Sequence, residues 1–330
     1  MALSGDAEAS PRVVVLMPVR DDWTSAAELT RRIDRAIAPH FFSLDVVLVD
    51  DGSVQKWAPA AFTAVFSAVR TVRVVRLRRN VGHQRAIAIG LVYVEQNVPC
   101  DGVMVMDADG EDTPEGALQL LQKFAAQEGT IAVFAERTRR SESLLFRASY
   151  FLYRNVHFIL TGLKVRVGNF SILPASNLGT LVVLSELWNH YAAAVFHSRL
   201  PYTLVPIPRG HRIAGVSKMN FVALVTHGLS AISVYGDAVG VRILIASLLC
   251  AVMVLAGIGA TVYVRLFTDL SIPGWATYAI GTLLVILIQL IAIASSFTFF
   301  MLSNRTNLGF MPLRDSPLFI AEVVEVYPHV

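Results

Sequence analysis

Between residues 12 and 126 the chain alternates two kinds of apolar pattern. Runs dense in Val and Ile, at Arg12–Val19, Asp45–Asp50, Thr71–Leu77 and Gly102–Asp107, are too uniformly apolar for strands with a solvent face. Between them, Thr24–Ile37, Ala58–Val69, Gln84–Glu95 and Pro114–Ala126 have helical length and spacing. Strict alternation of this kind predicts an α/β fold with a Rossmann-like, mostly parallel sheet covered on both faces. Ligands of such sheets bind outside the carboxyl ends of the strands.

The pattern then changes scale. No Asp, Glu, Lys, Arg or His occurs from Ile243 to Val264 or from Ile272 to Leu302, and Arg242, Arg265 and Arg305 stand at the margins. About 20 apolar residues span a bilayer. These runs therefore predict a C-terminal transmembrane hairpin, at about 241–264 and 275–302, with Trp275 and Tyr278 as interfacial aromatics. Two buried core helices are the competing reading. Before the hairpin, Asn220, His227, Ser230, Ser233 and Asp237 recur at nearly helical spacing, which suits a helix lying in the interface or packed on the globular domain. The expected organisation is an α/β domain over 1–218, an interfacial helix over 219–237, a hairpin over 238–303 and a cytoplasmic tail over 304–330.

Composition agrees: 54% of residues are hydrophobic and 16% charged, too apolar for an ordinary soluble domain. The opening MALSGDAEASPR lacks a signal-peptide core, so the region before the hairpin is expected to stay on the cytoplasmic side of the cell membrane. A net charge of +3, without an aromatic-interleaved basic stripe, argues against nucleic acid as a partner. Nothing in the pattern excludes a homo-oligomer. Cys100 and Cys250 fall in different regions and suggest no disulfide framework.

Polar residues gather where the strands stop: MPVRDD (Met17–Asp22), VDDGS (Val49–Ser53), RRNVGHQR (Arg78–Arg85) and MDADGED (Met106–Asp112). Neither a G-x-G-x-x-G nor a P-loop is present, so a bound nucleotide would be held by side chains. Asp107 and Asp109 flank one small residue, and alternation points both carboxylates to one side. Two such hard ligands suit Mg²⁺ or Mn²⁺ completed by substrate phosphates. A solvated turn before a helix at Pro114 is the plainer reading; it accounts for Asp112 or Thr113 as N-cap and Glu115 in the first turn, but not for Asp107.

Taken together, MPVRDD, VDDGS, RNVGHQRAIAIGL and MDADGED resemble family 2 glycosyltransferases of the GT-A fold, and RIAGVSK (Arg212–Lys218) plus the hairpin resemble the dolichyl-phosphate-mannose-synthase-like branch. That resemblance implies a metal-dependent, inverting transferase that moves a sugar from a nucleotide-diphosphate sugar to a polyprenyl phosphate on the cytoplasmic face. By the same resemblance Pro18, Arg20, Asp50, Asp51, Gly82 and Asp107 hold the donor nucleotide, and Asp107, Asp109 and Glu111 the metal. Cations are needed where the diphosphate leaves and where the lipid phosphate attacks; Arg137, Arg147, Arg212 and Lys218 are the candidates, with Asp109, for the catalytic set. Arg212 and Lys218 serve equally well as attractors to an anionic membrane surface. Several positions depart from the branch's pattern: Arg20 replaces an aromatic, and VGNFSILP (Val167–Pro174) carries Asn169 and Ser171 where relatives read an acid and a base. The rivals are a transferase with another lipid or an alcohol acceptor, and a catalytically silent membrane protein that binds a nucleotide sugar.

Overall fold

The computed structural model describes residues 10–55, 57, 62, 64–137, 155–162, 167–215, 221–269, 272–306 and 309–328. The chain separates into a sheet-bearing unit (1–153, 165–234 and 310–330) and a second unit (154–164 and 235–309).

The sheet-bearing unit is built on strands β1 (Arg12–Val19), β2 (Ser43–Asp50), β3 (Val69–Leu77), β4 (Gly102–Val105), β5 (Ala132–Arg137), β6 (Val167–Pro174), β7 (Tyr202–Ile207) and β8 (Ile320–Tyr327), in the order β7-β5-β6-β4-β1-β2-β3-β8. β4, β1, β2 and β3 are parallel neighbours; β6 and β8 run antiparallel to β4 and β3. Alternation along β1 sorts the core. Val13, Val15, Met17 and Val19 pack with α1 (Trp23–Ile37) and α3 (Pro114–Ala125) on one face, while Val14 and Leu16 pack with α2 (His83–Asn97) on the other. Burial on both faces explains why these strands read as unbroken apolar runs.

Two expectations are corrected. The predicted helix Ala58–Val69 is no α-helix among its described residues, and Val69 already belongs to β3. The buried Asp34 carboxylate on α1 accepts the backbone N–H groups of Ser67, Ala68 and Val69, which holds this stretch as a loop while Phe62 and Phe66 still reach the core. The segment expected to be a tail contributes β8, whose Glu322 and Glu325 pair with Arg76 and Arg73 across the ladder. Charges of this kind at a sheet margin discourage further strand addition.

Phe221–Ser233 is a helix, with Val225 and Leu229 exposed one turn apart and Ala231 buried. In the second unit the helices Gly236–Phe267 and Trp275–Thr306 pack antiparallel, with Gly240 against Met301 and Gly257 against Leu283. Their apolar windows are almost wholly uncovered by protein, which rules out the reading as buried core helices and leaves an apolar surface that water covers poorly. Arg242 Nη1 donates to the carbonyls of Phe158 (3.2 Å) and Ile159 (2.6 Å).

Candidate active site

Because β1, β2, β3 and β4 are parallel, their carboxyl ends fall together, and the polar motifs converge there. Val19 stands opposite Asp50, and Asp50 opposite Arg76. Pro18 interrupts no ladder. Leu16 O accepts the N–H of Met106 and Val19 O that of Asp51, so position 18 faces β4 beyond that strand's last paired residue, Val105.

The loop after β2 is tied to the loop after β3. Asp51, 4% exposed, accepts from the Val81 N–H (2.6 Å), the Gly82 N–H (3.0 Å) and Asn80 Nδ2 (2.9 Å). Burial pushes its carboxyl above the usual range, against the pull of those N–H groups and of Arg20 and His83. Gly52, at φ +66°, permits the approach, since a Cβ there would lie 2.6 Å from Asn80 N. Asp50 accepts from the Ser53 N–H at 2.9 Å, and Asp21 Oδ1 from those of Val54 and Gln55. Asp51 therefore joins the loops after β2 and β3, while Arg20 is exposed at the end of β1.

The acidic loop after β4 is clasped by the loop after β7. Gly210 N–H donates to Glu111 O (2.8 Å) and Ile213 N–H to Asp109 O (2.9 Å). Arg212 Nη2 meets Asp109 Oδ2 at 2.6 Å, and Arg209 pairs with Glu111. Gly110, at φ +88°, turns the loop beneath Ile213, where a Cβ would sit 2.5 Å from Cγ1. Asp112 Oδ2 turns back to the N–H of Asp107 at 2.9 Å, and Thr113 caps α3 by accepting from the Gly116 N–H. Of the two residues that sequence offered as the helix cap, the structure uses Thr113.

His83, the first residue of α2, brings Nε2 to 3.1 Å from Asp107 Oδ1 and 3.1 Å from Asn169 Nδ2. Desolvation on the half-covered side of the ring opposes its charge, but Asp107 first, then Asp51 and Asp112, holds the imidazole's pKa above its usual value. Asn169 Oδ1 accepts from Gln84 Nε2 (3.1 Å), whose Oε1 accepts from the Tyr191 N–H (2.7 Å). Ser171, where the branch carries a base, is fully buried against the Tyr191 hydroxyl at 2.7 Å.

The structure thus assembles Pro18, Arg20, Asp50, Asp51, Gly82, Asp107, Asp109, Glu111 and Arg212 at one edge of the sheet. Arg137 ends β5; Arg147 and Lys218 lie outside the described residues. Sequence reasoning did not assign Arg209, Asn80 or Gln84 to the site. Arg209 and Arg212, three apart in PRGHRI directly after a strand, were the available signal.

Among the described residues no group of three or more His, Cys, Asp or Glu surrounds one point, so these residues alone form no complete metal cage. Asp107 and Asp109 do fit a hard divalent cation whose remaining ligands are phosphate oxygens and water. Glu111 is engaged by Arg209.

Comparison with known proteins extends this picture. The family model described as Glycosyl transferase family 2 matches residues 14–179. The uncharacterized glycosyltransferase YkcC of Bacillus subtilis (strain 168) is 24% identical over 282 residues, 82% of each chain. The undecaprenyl-phosphate 4-deoxy-4-formamido-L-arabinose transferase of Salmonella choleraesuis (strain SC-B67) is 27% identical over 291 residues, 87% of this chain and 85% of that one. Among solved structures, the mannosyltransferase PcManGT from Pyrobaculum calidifontis in complex with GDP-Man and Mn2+ gives a TM-score of 0.41 at 15% identity, over 93% of this chain and 89% of that one. With the family match over half the chain and a GT-A arrangement of sheet and acidic loop, the chain belongs to glycosyl transferase family 2.

Proposed function

We propose that this chain transfers a sugar, with inversion, from a nucleotide-diphosphate sugar to a polyprenyl phosphate on the cytoplasmic face of the cell membrane. The observation that carries the reading is the pairing of Asp109 with Arg212 on the acidic loop beyond β4. It sets a carboxylate and a guanidinium at one point, as a metal-bound diphosphate needs. The Salmonella relative's name supports the acceptor class, and the hairpin supports access to a lipid.

Chain order supports an even number of crossings. β3 precedes the two apolar helices and β8 follows them, yet the two strands pair in one sheet. If the helices span a bilayer, the chain must return to the side it left, and the exposed Val225 and Leu229 face of the preceding helix suits the interface there.

In this mechanism Asp107 and Asp109 would hold Mg²⁺ or Mn²⁺, which when bound would supply positive charge for a leaving nucleotide diphosphate. Arg212 adds a fixed positive charge at the same place, with Arg137, Arg147 and Lys218 as further cations for the acceptor phosphate. Asp50 and Arg20 contact the nucleoside, and Asp51 and Gly82 hold the loop that leads to His83. A phosphate acceptor is already anionic at neutral pH, so positioning and charge stabilisation suffice; an alcohol acceptor would require a general base.

The test is transfer of radiolabel from a panel of UDP- and GDP-sugars into organic-extractable lipid, using purified protein, undecaprenyl phosphate and Mg²⁺ or Mn²⁺. Label that requires both metal and Asp109 is the expected result. Metal-dependent nucleotide binding without lipid label would move the acceptor to another class, and absence of nucleotide binding would end the transferase reading.

A further inference from the structure

Beside the sheet edge, and apart from the acidic loop, lies a cluster the proposed reaction does not use. Trp188 stacks on Phe310 with ring centroids 3.7 Å apart, and Phe319 packs against both at 5.3 and 5.8 Å. Arg85 lies over the Trp188 ring at 5.1 Å and Arg79 over Phe319 at 5.9 Å. Arg78 extends the charge, donating from Nε to Leu318 O and from its backbone to Phe319 O. Among the described residues no carboxylate pairs with Arg78, Arg79 or Arg85, whereas three arginines of the sheet, Arg12, Arg73 and Arg76, each have one.

The platform is rigid below and apolar above. Trp188 and Phe319 rest on the core that includes α2, whereas Leu318 is 71% exposed and Met311 is exposed beside it. Phe310 follows the last residue of the second apolar helix, Thr306, by four positions. Four extended residues reach at most about 14 Å, so chain connectivity alone keeps the cluster near the membrane–water boundary if that helix spans. Aromatic rings with unpaired guanidinium groups are the chemistry of that boundary, where the rings sit at headgroup depth and the cations meet lipid phosphate.

We infer that Arg79 and Arg85, set over the rings of Phe319 and Trp188, form a docking surface for the anionic headgroups of bulk bilayer lipid, with Leu318 entering the headgroup layer. This rests on the hairpin being membrane-embedded. Both arginines are exposed, so their N–H donors are open to phosphate oxygens, and the ring contacts order the side chains before a headgroup arrives. The surface would fix how the catalytic edge stands relative to the bilayer.

Photo-crosslinking of the full chain in nanodiscs of phosphatidylcholine with 30% phosphatidylglycerol tests it, with benzoylphenylalanine at Leu318 and, separately, at Leu255 in the first apolar helix as the control for embedding. The ratio of phosphatidylglycerol to phosphatidylcholine among Leu318 adducts should exceed the bulk ratio by about fivefold per guanidinium, which corresponds to about 1 kcal/mol each. The enrichment should vanish in Arg79→Gln/Arg85→Gln and persist in part in Arg79→Lys/Arg85→Lys, with unchanged melting temperatures. Lipid adducts at Leu255 but none at Leu318, or equal enrichment in the Gln variant, would overturn the docking surface while leaving the hairpin intact. Lack of adducts at Leu255 would remove the hairpin reading and this one with it. If 1% undecaprenyl phosphate captures all Leu318 adducts without phosphatidylglycerol enrichment, the surface is an acceptor site and the inference fails.

Discussion

The two ends of the same parallel strands carry acids in opposite circumstances. At the amino ends, Asp45 is fully buried and closed by neighbours within the sheet: Arg12 Nε at 2.5 Å from β1 and Thr71 Oγ1 at 2.6 Å from β3. Asp101 accepts the Arg12 N–H at 2.7 Å, and burial pushes the Cys100 thiol up to about 11, so no reactive group remains there. At the carboxyl ends, Asp107, Asp109 and Glu111 meet His83 at the start of α2 and Arg212 and Arg209 on the loop after β7, and every partner is partly exposed. Charges matched strand to strand make a structural seam. Charges matched loop to loop can be exchanged for a ligand of the same sign, and that separates the site from the seam.

The largest expected effect breaks the comparison from the carboxyl side. Asp109→Ala should lower kcat/KM by roughly 10³-fold, the order lost when a preorganised charge is removed from a transition state, while the melting temperature barely moves. Asp45→Ala should do the converse. Stripping one partner from a buried ion pair costs about 3 kcal/mol, read as a lowered denaturation midpoint, and the remaining folded enzyme should keep its specific activity. Equal loss of stability in both variants would abolish the distinction.

Asp51→Asn tests a residue that belongs to both categories. Its side chain lies at the functional edge, but its oxygens close on Asn80, Val81 and Gly82 as tightly as Asp45 closes on its strand neighbours. An amide nitrogen facing those N–H groups leaves about 2 kcal/mol of unmade hydrogen bonding. Chemical denaturation should register that loss, with a severalfold rise in KM for the nucleotide sugar and little change in kcat, because the displaced loop carries His83. A fall in kcat alone would make Asp51 a participant in the transition state.

These contrasts also mark what the sequence could convey. Central strands such as Val13–Val19 are buried on both faces and announce themselves as continuous apolar runs; the same holds for the hairpin, where lipid-scale length is the signal. β8 was illegible. IAEVVEVY carries two glutamates in eight residues and follows the hairpin, and nothing local shows that it pairs with a strand some 250 positions earlier. The false helix at Ala58–Val69 failed for a similar reason, since the Asp34 carboxylate that holds its N–H groups is a tertiary partner. At the site, D-x-D and the strand ends were readable because alternation fixes side-chain direction. The Arg209 and Arg212 clasp, about 100 residues downstream, depended on β7, a strand with an internal proline that local pattern did not disclose.

The smallest expected effect is the pH dependence of the His83–Asp107 contact. The imidazole's pKa is raised in the folded protein, so the fold binds that proton more tightly than the unfolded chain does. Its contribution is complete below about pH 6.5, the unperturbed histidine value, and is lost as pH rises through the higher folded pKa. His83 is 43% exposed, and solvent screening keeps the gain below about 1 kcal/mol. Melting temperatures of ligand-free protein should therefore converge between wild type and His83→Gln as pH rises above neutrality, and separate by a few degrees at pH 6 with wild type higher. Asp51 also holds its proton more tightly when folded, but its stabilising contribution fades in the acidic carboxylate range and leaves the histidine window clear. A constant gap across pH 6 to 9 would place His83 with the structural seam; a gap that closes places it with the exchangeable charges of the loops.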